Sequence, residues 1–376
     1  MPSPDLTATT ETLAPIAQRA DAPATLPEIT AGGLTWRPAT KADAPALLDL
    51  RNTIAEADAE PYREVIEEIT ELFDAPWRRF DTDSLLGHDA DGTLVAYAQV
   101  ESMPGDTRTV RVVLFGGVHP ARRGEGIGRE LFAWQLARGR QVLAESGKEL
   151  PARLAVYAED DGPVAKARIV ERAGFTPRRF YSELRRDLRH LDADPLPDIA
   201  PDGLRVVPFS ADLDEATRLA HNDAFRDHWG SEPQTPEQWT HGRTGFAPQW
   251  SVVVVDPDPD VDALLADPDT DAATADALRA GQPLVVAYAL NERFDEDFAV
   301  RGYTFGYTAI LGTRRAYRGR RGAPAALVAG MHAMRADGME FACLDVDTEN
   351  PTGAQGIYAG LGYAKTHGSR MLSIEL

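Results

Sequence analysis

Residues 110–129 read Val110-Arg111-Val112-Val113-Leu114-Phe115-Gly116-Gly117-Val118-His119-Pro120-Ala121-Arg122-Arg123-Gly124-Glu125-Gly126-Ile127-Gly128-Arg129. The first nine residues form an apolar, Val-rich run that predicts a strand. Leu131-Phe132-Ala133-Trp134-Gln135-Leu136 follows with helical spacing of its apolar residues. A strand, a Gly/Arg turn and a helix start together make an anion site. The first amides of a helix lack internal acceptors, the helix dipole favours negative charge there, and glycines allow close approach of the main chain. The turn is not a dinucleotide fingerprint, because Gly124, Gly126 and Gly128 follow GxGxG rather than GxGxxG spacing. It lacks the GK[ST] of a Walker loop.

Working outward, the chain repeats itself. Leu34-Thr35-Trp36-Arg37-Pro38 opens one unit and Leu204-Arg205-Val206-Val207-Pro208 a second. Strand-like runs follow at 93–100 and 284–290, then the Gly/Arg turns, then helices closed by Ala173-Gly174-Phe175 and Leu361-Gly362-Tyr363. These landmarks place an N-terminal domain at 34–190, a linker at 191–203 and a C-terminal domain at 204–376. The Pro/Thr/Ala-rich residues 1–33 are expected to be a disordered tail. The second unit carries an insertion at 256–281, with eight Asp and one basic residue, Arg279. It is expected to be a solvated loop, with a short helix near 272–278.

Composition narrows the function. The 376 residues carry a formal net charge of −20, which disfavours a nucleic-acid partner and anionic membranes and suits a cationic substrate. No apolar run approaches the ~20 residues of a spanning helix, and no signal-peptide pattern opens the chain, so a cytoplasmic protein is expected. The single cysteine, Cys343, lies in an apolar strand-like run and reads as a buried hydrophobe. No Cys or His spacing suggests a metal. A monomer or a homodimer is expected.

The residues resemble the GNAT acyltransferases. The family's pyrophosphate loop, Arg/Gln-x-x-Gly-x-Gly/Ala, is matched at every fixed position by Arg123-Gly124-Glu125-Gly126-Ile127-Gly128. In the second unit, Leu311-Gly312-Thr313 leads to Arg318-Gly319-Arg320-Arg321-Gly322-Ala323, where Arg321 takes the middle Gly position unless the register shifts to use Gly322. The family's Asn-x-x-Ala-x-x-Leu-Tyr-x-x-x-Gly-Phe helix is matched from Asn350 through Tyr358 to Gly362-Tyr363, with one extra residue. The first unit has Val170 where the Tyr belongs. The whole is similar to the tandem GNAT proteins of actinobacteria. The resemblance implies an α/β (α+β) fold of two tandem domains, each a mixed central sheet flanked by helices.

It further implies an acetyl-CoA-dependent N-acetyltransferase acting on an amine, with chemistry in the C-terminal unit. Leu311, Gly312 and Thr313 would hold pantetheine and the acetyl oxygen, with Asn350 nearby. Val118, Arg123, Gly124, Gly126, Ile127 and Gly128 would hold a cofactor in the first unit. Tyr358 would protonate the leaving sulfur. The base stays open, because residues 307–313 hold no carboxylate where many family members carry one. His228 is one candidate, since His titrates near neutrality. Asp345 is another, sharing a strand face with Asp347. The acceptor also stays open among amino sugar, antibiotic, peptide N-terminus and mycothiol precursor. The alternative is a non-catalytic acyl-CoA-binding or scaffold protein.

Overall fold

The structure, a computed structural model, describes residues 13–226, 228–349 and 354–376. Its strands are β1 (Thr35–Arg37), β2 (Ser84–His88), β3 (Leu94–Ser102), β4 (Val110–Val118), β5 (Ala152–Glu159), β6 (Thr176–Asp187), β7 (Arg205–Pro208), β8 (Val252–Asp256), β9 (Leu284–Glu292), β10 (Phe305–Thr313), β11 (Phe341–Asp347) and β12 (Ala364–Glu375). They form one twelve-stranded mixed sheet in the order β1-β2-β3-β4-β5-β12-β6-β11-β10-β9-β8-β7. The middle of that order shows how the halves join. β6, which closes the N-terminal half, pairs with β11, and β12, which closes the chain, pairs with β5. Each half therefore receives its neighbour to the fifth strand from the other half. Across the boundaries expected at 190 and 204, each half lends a strand to its neighbour.

Helices cover both faces of the sheet. They are α1 (Ile16–Arg19), α2 (Ala44–Ala57), α3 (Ile66–Asp74), α4 (Phe80–Asp83), α5 (Ile127–Glu145), α6 (Val164–Arg172), α7 (Asp214–Ala224), α8 (Pro236–Thr240), α9 (Val261–Ala266), α10 (Ala272–Arg279), α11 (Asp295–Arg301), α12 (Gly322–Ala336) and α13 (Ala354–Gly360). Strand alternation sorts the cores. Ala96, Ala98 and Val100 of β3 point into a core with Leu131 and Trp134 of α5 and Val170 of α6. The intervening Tyr97 packs against α2 and α3 on the opposite face. In the C-terminal half, Leu344 and Val346 of β11 meet α12 and α13, while Tyr288 of β9 meets α7 and Trp239 of α8.

Two sequence expectations are corrected. Residues 13–33 are not a loose tail. Ile16 is fully buried, its amide donates to the Lys148 carbonyl at 2.9 Å, and Glu130 accepts from the amides of Thr30 and Ala31. An apolar residue seated on α5 outweighs the Pro/Thr composition; residues 1–12 lie outside the described residues. The acidic insertion carries the short helix expected near 272–278, as α10, but the rest is not a solvated loop. It folds into α9 and α10, buries Thr274 and Leu278, and places Asp269 between Arg226 and Arg315 at 3.6 and 3.2 Å. The segment expected to be the linker packs against the C-terminal half: Leu196 is buried in its core and Arg186 pairs with Asp194.

Candidate active site

Each half contains a split between its fourth and fifth strands. β4 pairs in parallel with β5 only from Val110 to Val113, and β10 with β11 only from Phe305 to Thr308. Beyond those points β4 and β10 remain bonded to the third strands alone, so one backbone edge faces a gap. In β10 the register also shifts between Thr308 and Ile310, a bulge at Ala309 that β4 lacks. A bulge leaves one residue unpaired and re-aims the chain beside it. On the α12/α13 face of this gap, Leu311 packs against the core that contains Tyr358 and Tyr363.

Past each split lies the anion loop. In the N-terminal half Gly124 and Gly126 both adopt left-handed φ, +87°. The amides of Gly124, Glu125, Gly126, Ile127 and Gly128 have no acceptor among the described residues. In the C-terminal half the left-handed positions are Gly319 and Arg321, at φ +81° and +60°. Gly322 begins α12 and lies against Ala287, where a Cβ would stand 2.8 Å from the Ala287 methyl. The shifted register therefore does not occur, and Arg321 holds the conformation that Gly126 holds in the first loop. The amides of Gly319, Arg321, Gly322 and Ala323 also lack acceptors among the described residues. Both loops fit a diphosphate: consecutive donors, helix starts and adjacent arginines. The side chains around them are already engaged. Arg123 pairs with Asp58 at 2.5 Å, Arg321 with Asp202 at 2.7 Å, and Arg320 and Arg318 donate to the Asp202 and Ala224 carbonyls.

On the opposite face, which holds α2, α3, α7 and α11, a cavity of about 570 Å³ lies between the halves. Phe115, Arg51 and Glu68 line it from the N-terminal half; Phe305, Tyr307 and Asp345 line it from the C-terminal half. The Tyr307 hydroxyl donates to Asp345 at 3.0 Å. Asp345 opens to the cavity, yet the walls shed it from bulk water and raise its proton affinity, against the lowering effect of that hydrogen bond. Burial also pushes Asp297 up to about 6. Arg51–Glu64, Arg78–Glu101 and Arg301–Glu183 are paired at 2.6, 2.5 and 2.8 Å.

No family model matches the chain. A mycothiol acetyltransferase from Streptomyces avermitilis is 30% identical over 280 residues, covering 74% of this chain and 75% of that protein. The chain belongs to the mycothiol acetyltransferase family. The Nocardia farcinica member is 29% identical over 74% of this chain and 78% of its own length. The Streptomyces scabiei member reaches 37% identity, over a segment that spans 39% of its length. A GCN5-related N-acetyltransferase from Sphaerobacter thermophilus shares the fold, with TM-score 0.60, 24% identity and coverage of 93% and 97% of the two chains. So does a tandem GNAT protein from the clavulanic acid pathway, with TM-score 0.59, 17% identity and coverage of 91% and 98%. As a member of the mycothiol acetyltransferase family, the chain is an N-acetyltransferase that uses acetyl-CoA, and its fold is the tandem GNAT fold of those two structures.

The other expected site residues of this acetyltransferase fall as follows. Tyr358 is buried on α13, and burial pushes its phenol up to about 12, so it is protonated at neutral pH. No described residue accepts its hydroxyl proton. Leu311, Gly312 and Thr313 form the free-edged end of β10, and Val118 ends β4. Asn350 lies outside the described residues. His228 bonds Ser231 at 2.9 Å, and burial lowers its proton affinity despite the charge of Asp347. No contact joins it to Asp345 or Tyr358 among the described residues. Cys343 is buried in β11 and its thiol is pushed up to about 12, which keeps it inert. Sequence reasoning missed Tyr307, Glu292 and the His221–Tyr288 pair, bonded at 2.8 Å. The signal for Tyr307 was present as an aromatic where family members carry a carboxylate. It needed the register with β11 to bring Asp345 into view. No helix among the described residues is long and apolar enough to cross a membrane.

Proposed function

We propose that the C-terminal half transfers the acetyl group of acetyl-CoA to an amine of a small polar acceptor of the mycothiol-precursor kind, as the relatives' name suggests. The observation that carries this reading is the split at Thr308, where the bulge at Ala309 and the free edge of Ile310 to Thr313 lie next to the core that holds Tyr358. Gly319, Arg321, Gly322 and Ala323 would hold the diphosphate by their amides. The thioester would lie in the split, its carbonyl oxygen against the β10 edge. The acceptor would enter from the cavity, whose carboxylates suit a cation.

Asp345, oriented by the Tyr307 hydroxyl, takes the proton of the amine. The nitrogen lone pair attacks the thioester carbon, the C–N bond forms and the C–S bond breaks. The thiolate takes the Tyr358 proton. His228, neutral and held by Ser231, stands aside from this path. The Gly124–Gly128 amides of the N-terminal half suit a second coenzyme A, but Val170 there supplies no acid.

The test is coenzyme A release with a panel of amines. Tyr358→Phe is expected to lower kcat by about 100-fold or more, in the range of a lost general acid. Arg123→Ala, in the first loop, is expected to leave kcat within about 2-fold. Undiminished turnover in Tyr358→Phe would sink the assignment to the C-terminal half.

A further inference from the structure

Glu292 ends β9 directly across from Tyr307 of β10, so the two side chains stand on one face of the sheet. Glu101 of β3 occupies the matching place in the N-terminal half, across from Val113 of β4. The two glutamates differ in company. Glu101 is held by Arg78 at 2.5 Å. Glu292 pairs with no cation among the described residues. The groups that face it are the Glu68 carboxylate of α3, the Tyr307 phenol and, bridging to its backbone, the apolar Phe246. Tyr307 in turn bonds Asp345, so the phenol is flanked by a carboxylate from β9 and another from β11.

We infer that Glu292 is a positioning residue for acetyl transfer, which sets the basicity of Asp345 through the charge it places beside Tyr307. This rests on the acetyltransferase reading above. Burial, with the charge of Glu68 added, pushes the Glu292 carboxyl up to about 7. Below that pH Glu292 is neutral, and the hydrogen bond from the Tyr307 hydroxyl weakens Asp345 as a base with no charge on Glu292 to oppose it. Above it Glu292 is charged. Asp345 already stands between the carboxylate of Glu183 and the cationic side chains of Arg301 and His367, and the Glu292 charge, felt through Tyr307, adds to that of Glu183 and raises its affinity for the amine proton. Glu292 itself neither gains nor loses a proton in the transfer. The proton passes from the amine to Asp345, and the thiolate is protonated by Tyr358.

The experiment is kcat/KM against pH for the full chain, Glu292→Gln and Glu292→Asp, alongside KM for acetyl-CoA. The wild type is expected to rise through about pH 7. Glu292→Gln is expected to lose that limb, with about 10-fold lower kcat/KM at about pH 8.5, little change at about pH 5.5 and an unaltered KM for acetyl-CoA. Glu292→Asp, which restores the charge, is expected to regain the limb. A Gln variant that keeps the limb overturns the role.

Thermal unfolding gives a readout independent of activity. A carboxyl whose folded value lies above its unfolded value contributes stability at low pH that is lost as pH rises to about 7. Glu292→Gln should therefore be more stable than wild type at about pH 8 and equal to it at about pH 4. Absence of turnover on every amine would sink the acetyltransferase reading and this role with it. Equal stabilities at both pH values would sink this role alone.

Discussion

The two halves place different residues on the same scaffold. Asn52 and Asn222 clasp their loops alike: each side-chain amide donates to a carbonyl twelve residues on and accepts the amide of the same residue, Glu64 or Gln234, at 2.8–3.1 Å. The residue before each asparagine then meets a tyrosine that lies opposite a glycine. In the N-terminal half Arg51 sits over Tyr97, which pairs with Gly117. In the C-terminal half His221 bonds the Tyr288 hydroxyl, and Tyr288 pairs with Gly312. One position thus holds a permanent charge facing the cavity, and its counterpart holds a neutral, buried ring. The repeat preserves the asparagine clasp and the Tyr–Gly pair, while the side chain set against the tyrosine has diverged.

Substitution at the paired glycines should break this comparison most sharply. A Cβ on Gly312 would collide with the Tyr288 hydroxyl, which is fully buried and fixed by His221. Gly312→Ala is expected to cost about 3 kcal/mol, from overpacking together with the strained hydrogen bond. In the N-terminal half a Cβ on Gly117 meets the end of Ile54 at 2.7 Å, a side chain that can rotate away. Gly117→Ala is expected to cost about 1 kcal/mol. Urea unfolding of both variants checks the order; equal costs would mean that Tyr288 is not the rigid partner.

How much was legible beforehand follows from what carries the information. The strands, the anion loops and the Gly-capped helices were readable because each is local: apolar runs, Gly spacing and helix ends lie within about a dozen residues. The exchange of β6 and β12 was not, because both strands have the same alternation wherever they pair. The ordering of Ile16 against α5 depended on a contact across more than a hundred residues, and composition at 1–33 pointed the other way. At the site, Tyr358 and Asp345 were named from a motif and from strand parity. Glu292 was passed over because a glutamate at a strand end is ordinarily solvated. Only the sheet register and the approach of Glu68 show its setting.

Acid separates the halves by a smaller amount. Burial lowers the His221 imidazole to about 4, so it stays neutral in the folded chain where the unfolded chain takes up a proton. A depressed histidine costs stability as pH falls from about 6.5 towards 4, by about 2 kcal/mol between pH 7 and pH 5. Glu292 and Asp297 act in the opposite sense over the same range, so the difference between wild type and His221→Gln is the quantity to measure. The variant is expected to lose about 2 kcal/mol less on acidification from pH 7 to pH 5. An identical pH dependence in both would show that the ring is solvated. Arg51, charged throughout, gives its half no such dependence.

The smallest effect expected is at the loops, where it has two signs. Arg321 holds a left-handed conformation at φ +60° that costs a side-chain-bearing residue about 1 kcal/mol, and Gly126 holds the matching place without strain. The exposed Arg321–Asp202 pair offsets little of that cost. Arg321→Gly should therefore raise the midpoint of thermal unfolding by about 1–2 °C for a chain of this size. The same change removes a cation from beside the four free amides of the loop and should weaken acetyl-CoA binding about 5-fold, or about 1 kcal/mol. Stability and binding would then move in opposite directions in one variant, as expected when strain is retained for the sake of a ligand. A lower midpoint would mean that Arg321 is held by its ion pair rather than strained by its backbone. Unchanged binding would mean that the amides alone hold the diphosphate and that the arginine belongs to the surface.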